Sequence, residues 1–275
     1  MQLTNAVVGS VLVAGALAAP HHHEGKRGST LLSRARKFGA TKSTSANKAV
    51  SSSSSFSSLE TDSNNQWAGA GYQGLYNSGE TLKGVSTTFN VLNASIPTDA
   101  DTGESTYYAS AWIGIDGQES CTDISNAGLW QAGVDSMIED GTLSFYAWYE
   151  WYPAETVVID LGDIAAGDLI SLNLTASSGT KGTVVMENTS TGKSFTKTVT
   201  SENEMCLDTV EWIMEDVTFD DDSEGLAAFD TLTFADSVWV TDKATYTAAD
   251  SNQHFEITDR TSTSVSGENV VIKYV

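Results

Sequence analysis

Alternation with a period of two residues is what most restricts the fold of this chain. Along Leu169–Thr175, Ile170, Leu172 and Leu174 alternate with Ser171, Asn173 and Thr175, the pattern of a strand with one buried and one wet face. Phe195 and Val199 alternate with Thr196 and Thr198, just after the turn-forming Ser190-Thr191-Gly192. Leu143–Tyr152 predicts a long strand with large side chains on both faces, and Val270–Val275 predicts a closing strand. Gly, Asn and Asp clusters separate these segments, and no stretch carries a convincing amphipathic helical period. Many short strands at this spacing predict an all-β sandwich or barrel, and about 210 residues suits one large domain of that kind.

The pattern begins near Gln66-Trp67, and what precedes it is different. Ala6–Ala18 is an apolar run ending in the small-residue site Ala16-Leu17-Ala18, which predicts a secretory signal over residues 1–18. The run is too short for a bilayer, which needs roughly 20 apolar residues. Residues 19–60 are basic and then Ser-rich, with little to bury, and predict a removable propeptide. They hold Lys26, Arg27, Arg34, Arg36, Lys37, Lys42 and Lys48 against Glu24 and Glu60. Residues 61–275, the expected single domain, keep the other seven of 14 basic residues and 34 of 36 acidic ones, a formal charge of -27. Such a domain repels nucleic acid and anionic membrane, so neither is an expected partner. A secreted chain with only Cys121 and Cys206 is expected to pair them in a disulfide. Three sequons, at Asn93, Asn173 and Asn188, are candidate glycan acceptors.

The inventory of chemical groups is short. After residue 60 the one histidine is His254, too few for a zinc site, and the cysteines are expected to be paired. A Ser-His-Asp triad would rest wholly on His254, which reads better as a strand residue. No phosphate loop or dinucleotide fingerprint occurs. Asp101-Thr102-Gly103 spells the aspartic-peptidase tripeptide, but it occurs once, with polar flanks, where that chemistry needs two aspartates sharing a proton. A catalyst here must work with carboxylates, amides and hydroxyls, as acid peptidases and glycoside hydrolases do.

Five blocks carry a resemblance. They are Gln66-Trp67-Ala-Gly, Ala111-Trp112-Ile-Gly-Ile-Asp116-Gly117, Leu129-Trp130-Gln131-Ala-Gly-Val-Asp135, Ala147-Trp148-Tyr-Glu150-Trp151-Tyr152-Pro153, and Glu211-Trp212-Ile-Met-Glu215-Asp216 after Cys206. In this order they resemble the glutamic peptidases, or eqolisins. The resemblance implies a β-sandwich of two large, curved antiparallel sheets (a concanavalin-like jelly roll). It implies a catalytic Gln131 and Glu215, with Trp112, Asp116, Trp148 and Glu150 about the substrate. It also implies protein or peptide substrates and no metal or cofactor; the propeptide is expected to inhibit, and the mature protein to be a monomer. Two features depart from the family pattern: the Asp116–Gln131 segment is several residues longer, and Tyr146 stands where an aspartate can precede the tryptophan.

The residues make independent sense. Strand alternation puts Glu211, Ile213 and Glu215 on one face, where an inward carboxylate is costly unless hydrogen-bonded or functional. Glu215 is expected to take a proton from water and return it to the leaving amine, while Gln131 orients the water and donates to the oxyanion. Glu211 is the second candidate for the base. The competing class is a carbohydrate-active sandwich, glycoside hydrolase or lectin, with Trp148, Trp151 and Tyr152 stacking on sugar and Glu150 catalytic. That chemistry needs two carboxylates and has no general use for Gln131.

Overall fold

The computed structural model describes residues 61–64, 66–100, 106–117, 127–219, 222–223 and 225–275. The expected signal and propeptide, Asp101-Thr102-Gly103 and Cys121 lie outside the described residues. Strands, numbered in chain order, form two large sheets and one small hairpin.

The first sheet runs β1 (Thr61–Asn64), β16 (Gln253–Ile257), β2 (Trp67–Gln73), β11 (Thr209–Glu215), β4 (Thr106–Ile115), β5 (Leu129–Glu139), β6 (Thr142–Tyr152) and β7 (Val157–Ile159). The second runs β10 (Lys193–Thr200), β9 (Lys181–Asn188), β8 (Leu169–Ser178), β3 (Leu82–Asn90), β14 (Thr231–Thr241), β18 (Asn269–Tyr274) and β17 (Thr261–Ser266), with β15 (Thr245–Thr247) on β14. β12 (Thr218–Phe219) and β13 (Asp222–Ser223) make the hairpin. Pairing is antiparallel throughout except between β1 and β16. The helical pieces among the described residues are α1 (Leu75–Ser78) and one 3-10 turn at Ala248–Asp250.

The sandwich follows from the alternation. β8 buries Ile170, Leu172 and Leu174 and exposes Asn173 and Thr175. Its buried face joins one core with Val85, Phe89, Phe234 and Ile272 from its own sheet, and with Ile113, Trp130, Ala132, Trp212 and Met214 from the other. β4, β5 and β11 are buried at nearly every position, because their second face is covered too. On that second face Trp67, Trp112, Leu129, Trp148, Ile213 and Phe255 form a separate apolar cluster. One sheet therefore carries the common core on one side and an aromatic cluster on the other.

The sequons divide by burial. Asn93 and Asn173 are exposed. Asn188, read above as an acceptor, is fully buried: its Nδ2 donates to Asp168 Oδ2 at 2.7 Å, and its Oδ1 accepts from the N–H groups of Ser190 and Thr191 at 3.1 and 3.2 Å. It falls on the same inward face of β9 as Val184 and Met186, so it serves the turn and not a glycan. Asn188→Ala should lower unfolding stability by about 1–3 kcal/mol, since it strands buried partners, whereas Asn173→Ala should stay within about 0.5 kcal/mol. Denaturant titration measures both, and peptide mass analysis should find Asn188 unmodified.

Candidate active site

Register places the polar residues of the first sheet's outer face in three rows. In one row, Trp67, Glu215, Ser110, Asp135 and Tyr146 stand side by side on β2, β11, β4, β5 and β6. In the next stand Phe255, Gly69, Ile213, Trp112, Gly133 and Trp148. In the third stand Gln253, Gly71, Glu211, Gly114, Gln131 and Glu150. Gln131, Glu215, Glu211, Trp112, Trp148 and Glu150 thus share one face, whereas Trp151, read above as a sugar-stacking residue, falls on the opposite face and is buried in the common core against Trp130. Glycine between them is required: a Cβ on Gly133 would lie 2.5 Å from Trp112 Cβ, and one on Gly114 would lie 2.5 Å from Glu211 Oε1.

The buried carboxylates take neutral donors. Trp112 Nε1 donates to Glu215 Oε2 at 2.9 Å. Trp148 Nε1 donates to Asp135 Oδ1 at 2.7 Å, and Ser110 Oγ donates to the same oxygen at 2.6 Å. Thr156 Oγ1 donates to Glu150 Oε2. Trp112 lies on the row between Glu215 and Gln131 and packs edge-on against Trp67, with centroids 5.3 Å apart. Gln131 differs from these: its residue is 0 % exposed, yet neither Oε1 nor Nε2 has a hydrogen-bond partner among the described residues. Such burial of an amide is costly, which marks Gln131 as a candidate functional group.

Asp116 was expected beside the substrate; its buried carboxylate accepts from the N–H groups of Leu207 (2.8 Å), Asp208 (2.9 Å) and Thr209 (3.1 Å). Asp116 N–H donates to Thr209 O at 3.0 Å, and both Asp116 and Gly117 adopt positive φ, 67° and 97°. Asp116 therefore clamps the entry to β11, the strand that ends in Glu215. Cys206, one residue before this segment, is disulfide-bonded, and its sulfur lies 3.5 Å from Asp116 Oδ1.

Asp135 and Ser110 were not singled out from the sequence. Alternation from Gln131 through Gly133 reaches Asp135, and alternation from Trp112 reaches Ser110, so the signal was present. Thr156 left no such trace, because it reaches Glu150 from outside the strand. His254 sits on the opposite face from Gln253, and burial lowers its pKa. No group of three or more His, Cys, Asp or Glu side chains that could hold a metal occurs among the described residues.

Residues 65–274 match the peptidase A4 family. Aspergillopepsin-2 of Aspergillus niger is 37 % identical over 178 residues, covering 62 % of this chain and 60 % of that protein. Scytalidopepsin B of Scytalidium lignicola is 33 % identical over 134 residues, 48 % of each chain. The matched stretches thus span roughly half to three-fifths of these curated relatives. The crystal structure of scytalido-glutamic peptidase with a peptide-based transition-state analogue superposes with TM-score 0.61 at 30 % identity, over 77 % of this chain and 98 % of that one.

The clamp has a pH dependence of known sign. Burial pushes the Asp116 carboxyl up to about 6, against the downward pull of the three N–H groups. A raised acid favours the folded state in its protonated form. Its contribution is complete below the ordinary value of 3.8 and is lost as pH rises through about 6. Asp116→Asn should flatten the fall in stability across that window, which is on the order of 3 kcal/mol for a shift of this size. Urea titrations of both proteins from pH 3.5 to 6.5 test this; parallel curves would refute it.

Proposed function

This chain belongs to the peptidase A4 family, and we propose that it is a glutamic-type endopeptidase in which Glu215 and Gln131 activate water. One observation carries the reading. A buried glutamate held at one oxygen by an indole N–H shares its sheet face with a buried glutamine whose amide has no partner among the described residues. The curated relatives' names and the peptide-like ligand of the solved neighbour support the same class.

In the proposed sequence, Trp112 holds Glu215 Oε2, and the carboxylate takes the proton from a water as that water's oxygen bonds to the scissile carbonyl carbon. Gln131 Nε2 donates to the carbonyl oxygen as that oxygen gains negative charge. The tetrahedral centre then collapses, the C–N bond breaks, and the amine leaves with the proton that Glu215 carried. An amide does not ionise, so one carboxylate handles both transfers. Trp112 and Trp148 supply apolar wall beside the peptide. Glu215→Gln and Gln131→Ala should each fold and lose almost all turnover of denatured protein in acid. Substantial turnover by Glu215→Gln would overturn the assignment.

We also propose that residues 1–18 direct secretion, that residues 19–60 are removed, and that the mature chain acts as a monomer. The segment from 20 to 60 carries a formal +5 beside the domain's -27, which supports electrostatic docking over the site. That attraction needs ionised Asp and Glu. Carboxylates facing Lys and Arg titrate below their free values, so docking is complete above about pH 4 and lost as pH falls through the lowered values. A synthetic peptide of residues 20–60 should inhibit mature enzyme at pH 5.5, less in high salt, and not at pH 3. Inhibition absent at pH 5.5, or indifferent to salt there, would sink the docking model.

A further inference from the structure

We propose that Glu211 is a positioning residue that sets which way the Gln131 amide faces. The proposal rests on the Glu215–Gln131 reading above. Glu211, Gly114 and Gln131 stand side by side on β11, β4 and β5, and Glu211 and Gln131 are both fully buried. Two strand spacings separate their backbones by about 10 Å. The strand between them carries no side chain, and Glu211 fills that gap: its Oε1 lies 2.5 Å from where a Gly114 Cβ would stand. The carboxyl group thus occupies the gap at Gly114, beside the strand that carries Gln131.

The chemistry of an amide makes this position consequential. Gln131 must turn Nε2 to the carbonyl oxygen of the substrate, and a buried amide takes that orientation only if its neighbours distinguish its two ends. On one side its direct cross-strand neighbour is Glu150, whose Oε2 accepts from Thr156. Glu150 therefore presents acceptor character, which suits the second N–H of Nε2. On the other side Oε1 needs a donor. A protonated Glu211 carboxyl supplies one, whereas an ionised carboxylate can only accept and would draw Nε2 away. Along its row Glu211 is flanked by Gly71 and Gly114, with the uncharged Gln253 and Gln131 beyond them and Glu150 beyond Gln131, while Glu215 stands four residues on along the same face of β11. Acid pH favours the protonated form that this role requires.

This assigns the two limbs of a bell-shaped pH–rate profile to different residues. The acid limb reports ionisation of Glu215 as base, and the alkaline limb reports loss of the Glu211 proton. Glu211→Gln keeps a donor for Gln131 Oε1 at every pH. It should retain turnover within a few-fold of wild type at the optimum, and its alkaline limb should move to higher pH. Glu211→Ala removes the donor and should lower kcat by on the order of 100-fold with little change in KM, as misorientation of a reacting group does. Thermal unfolding of each variant at the assay pH separates these effects from loss of fold. An alkaline limb unchanged in Glu211→Gln, or loss of turnover in that variant, would overturn the positioning role. Loss in Glu211→Gln together with activity in Glu215→Gln would instead overturn the Glu215 assignment itself, and so the two failures are distinguishable.

Discussion

An indole N–H can donate but never accept, and the site depends on that one-way property. Trp112 Nε1 bonds Glu215 Oε2 at 2.9 Å inside a cluster of Trp67, Leu129, Trp148, Ile213 and Phe255. A carboxylate there would otherwise lose its solvation without compensation. A hydrogen bond to a charged group contributes about 1.5–3 kcal/mol, and the rigid ring also fixes which oxygen it occupies. Trp148 repeats the device on Asp135 with help from Ser110. The aromatic cluster is thus both the apolar lining of the face and the source of its donors.

That arrangement is possible only because glycine interrupts the face. Gly69, Gly133, Gly71 and Gly114 each stand in register between larger residues of their rows. At Gly69 the backbone itself demands it, since φ is 149° and a Cβ would meet Trp212 O at 2.0 Å. Glycine within a strand weakens the strand. The opposite face of the same sheet offsets this, with Trp130 against Trp151 at 5.2 Å and Trp212 against Trp239 at 6.0 Å. The outer face is therefore shaped by absent side chains and held by the tryptophans of the other face.

How much was legible follows from this two-faced sheet. β8 could be read directly, since Leu172 and Asn173 experience core and water in turn. β4, β5 and β11 could not, because burial on both sides erases the contrast that alternation relies on. There the motif resemblance, not periodicity, located Gln131 and Glu215. Asn188 misled because a sequon is a three-residue signal, whereas its burial depends on strand β9 continuing from Val184 through Met186. The backbone partners of Asp116 were not legible, because Leu207 to Thr209 lie about ninety positions onward and no local pattern announces a contact of that range.

The same neutral donors shape how so acidic a chain responds to acid. The described ion pairs, Lys193–Asp160 at 3.8 Å and Arg260–Asp99 at 2.7 Å, sit on the exposed surface, where such pairs contribute little. The carboxyls that matter are engaged by groups that do not titrate in this range: Glu215 by an indole, Asp135 by an indole and a serine, Glu150 by a threonine, Glu80 by Thr241 and Tyr246, and Asp116 by backbone N–H. An ion pair loses its attraction when the carboxylate takes a proton. A bond from a neutral donor weakens but persists, because the protonated carboxyl still accepts through its carbonyl oxygen. Protonation also relieves the repulsion among the excess acids and, for Asp116, favours the folded form. Protonation therefore relieves repulsion in this fold while the neutral donors keep an acceptor on each of these carboxyls.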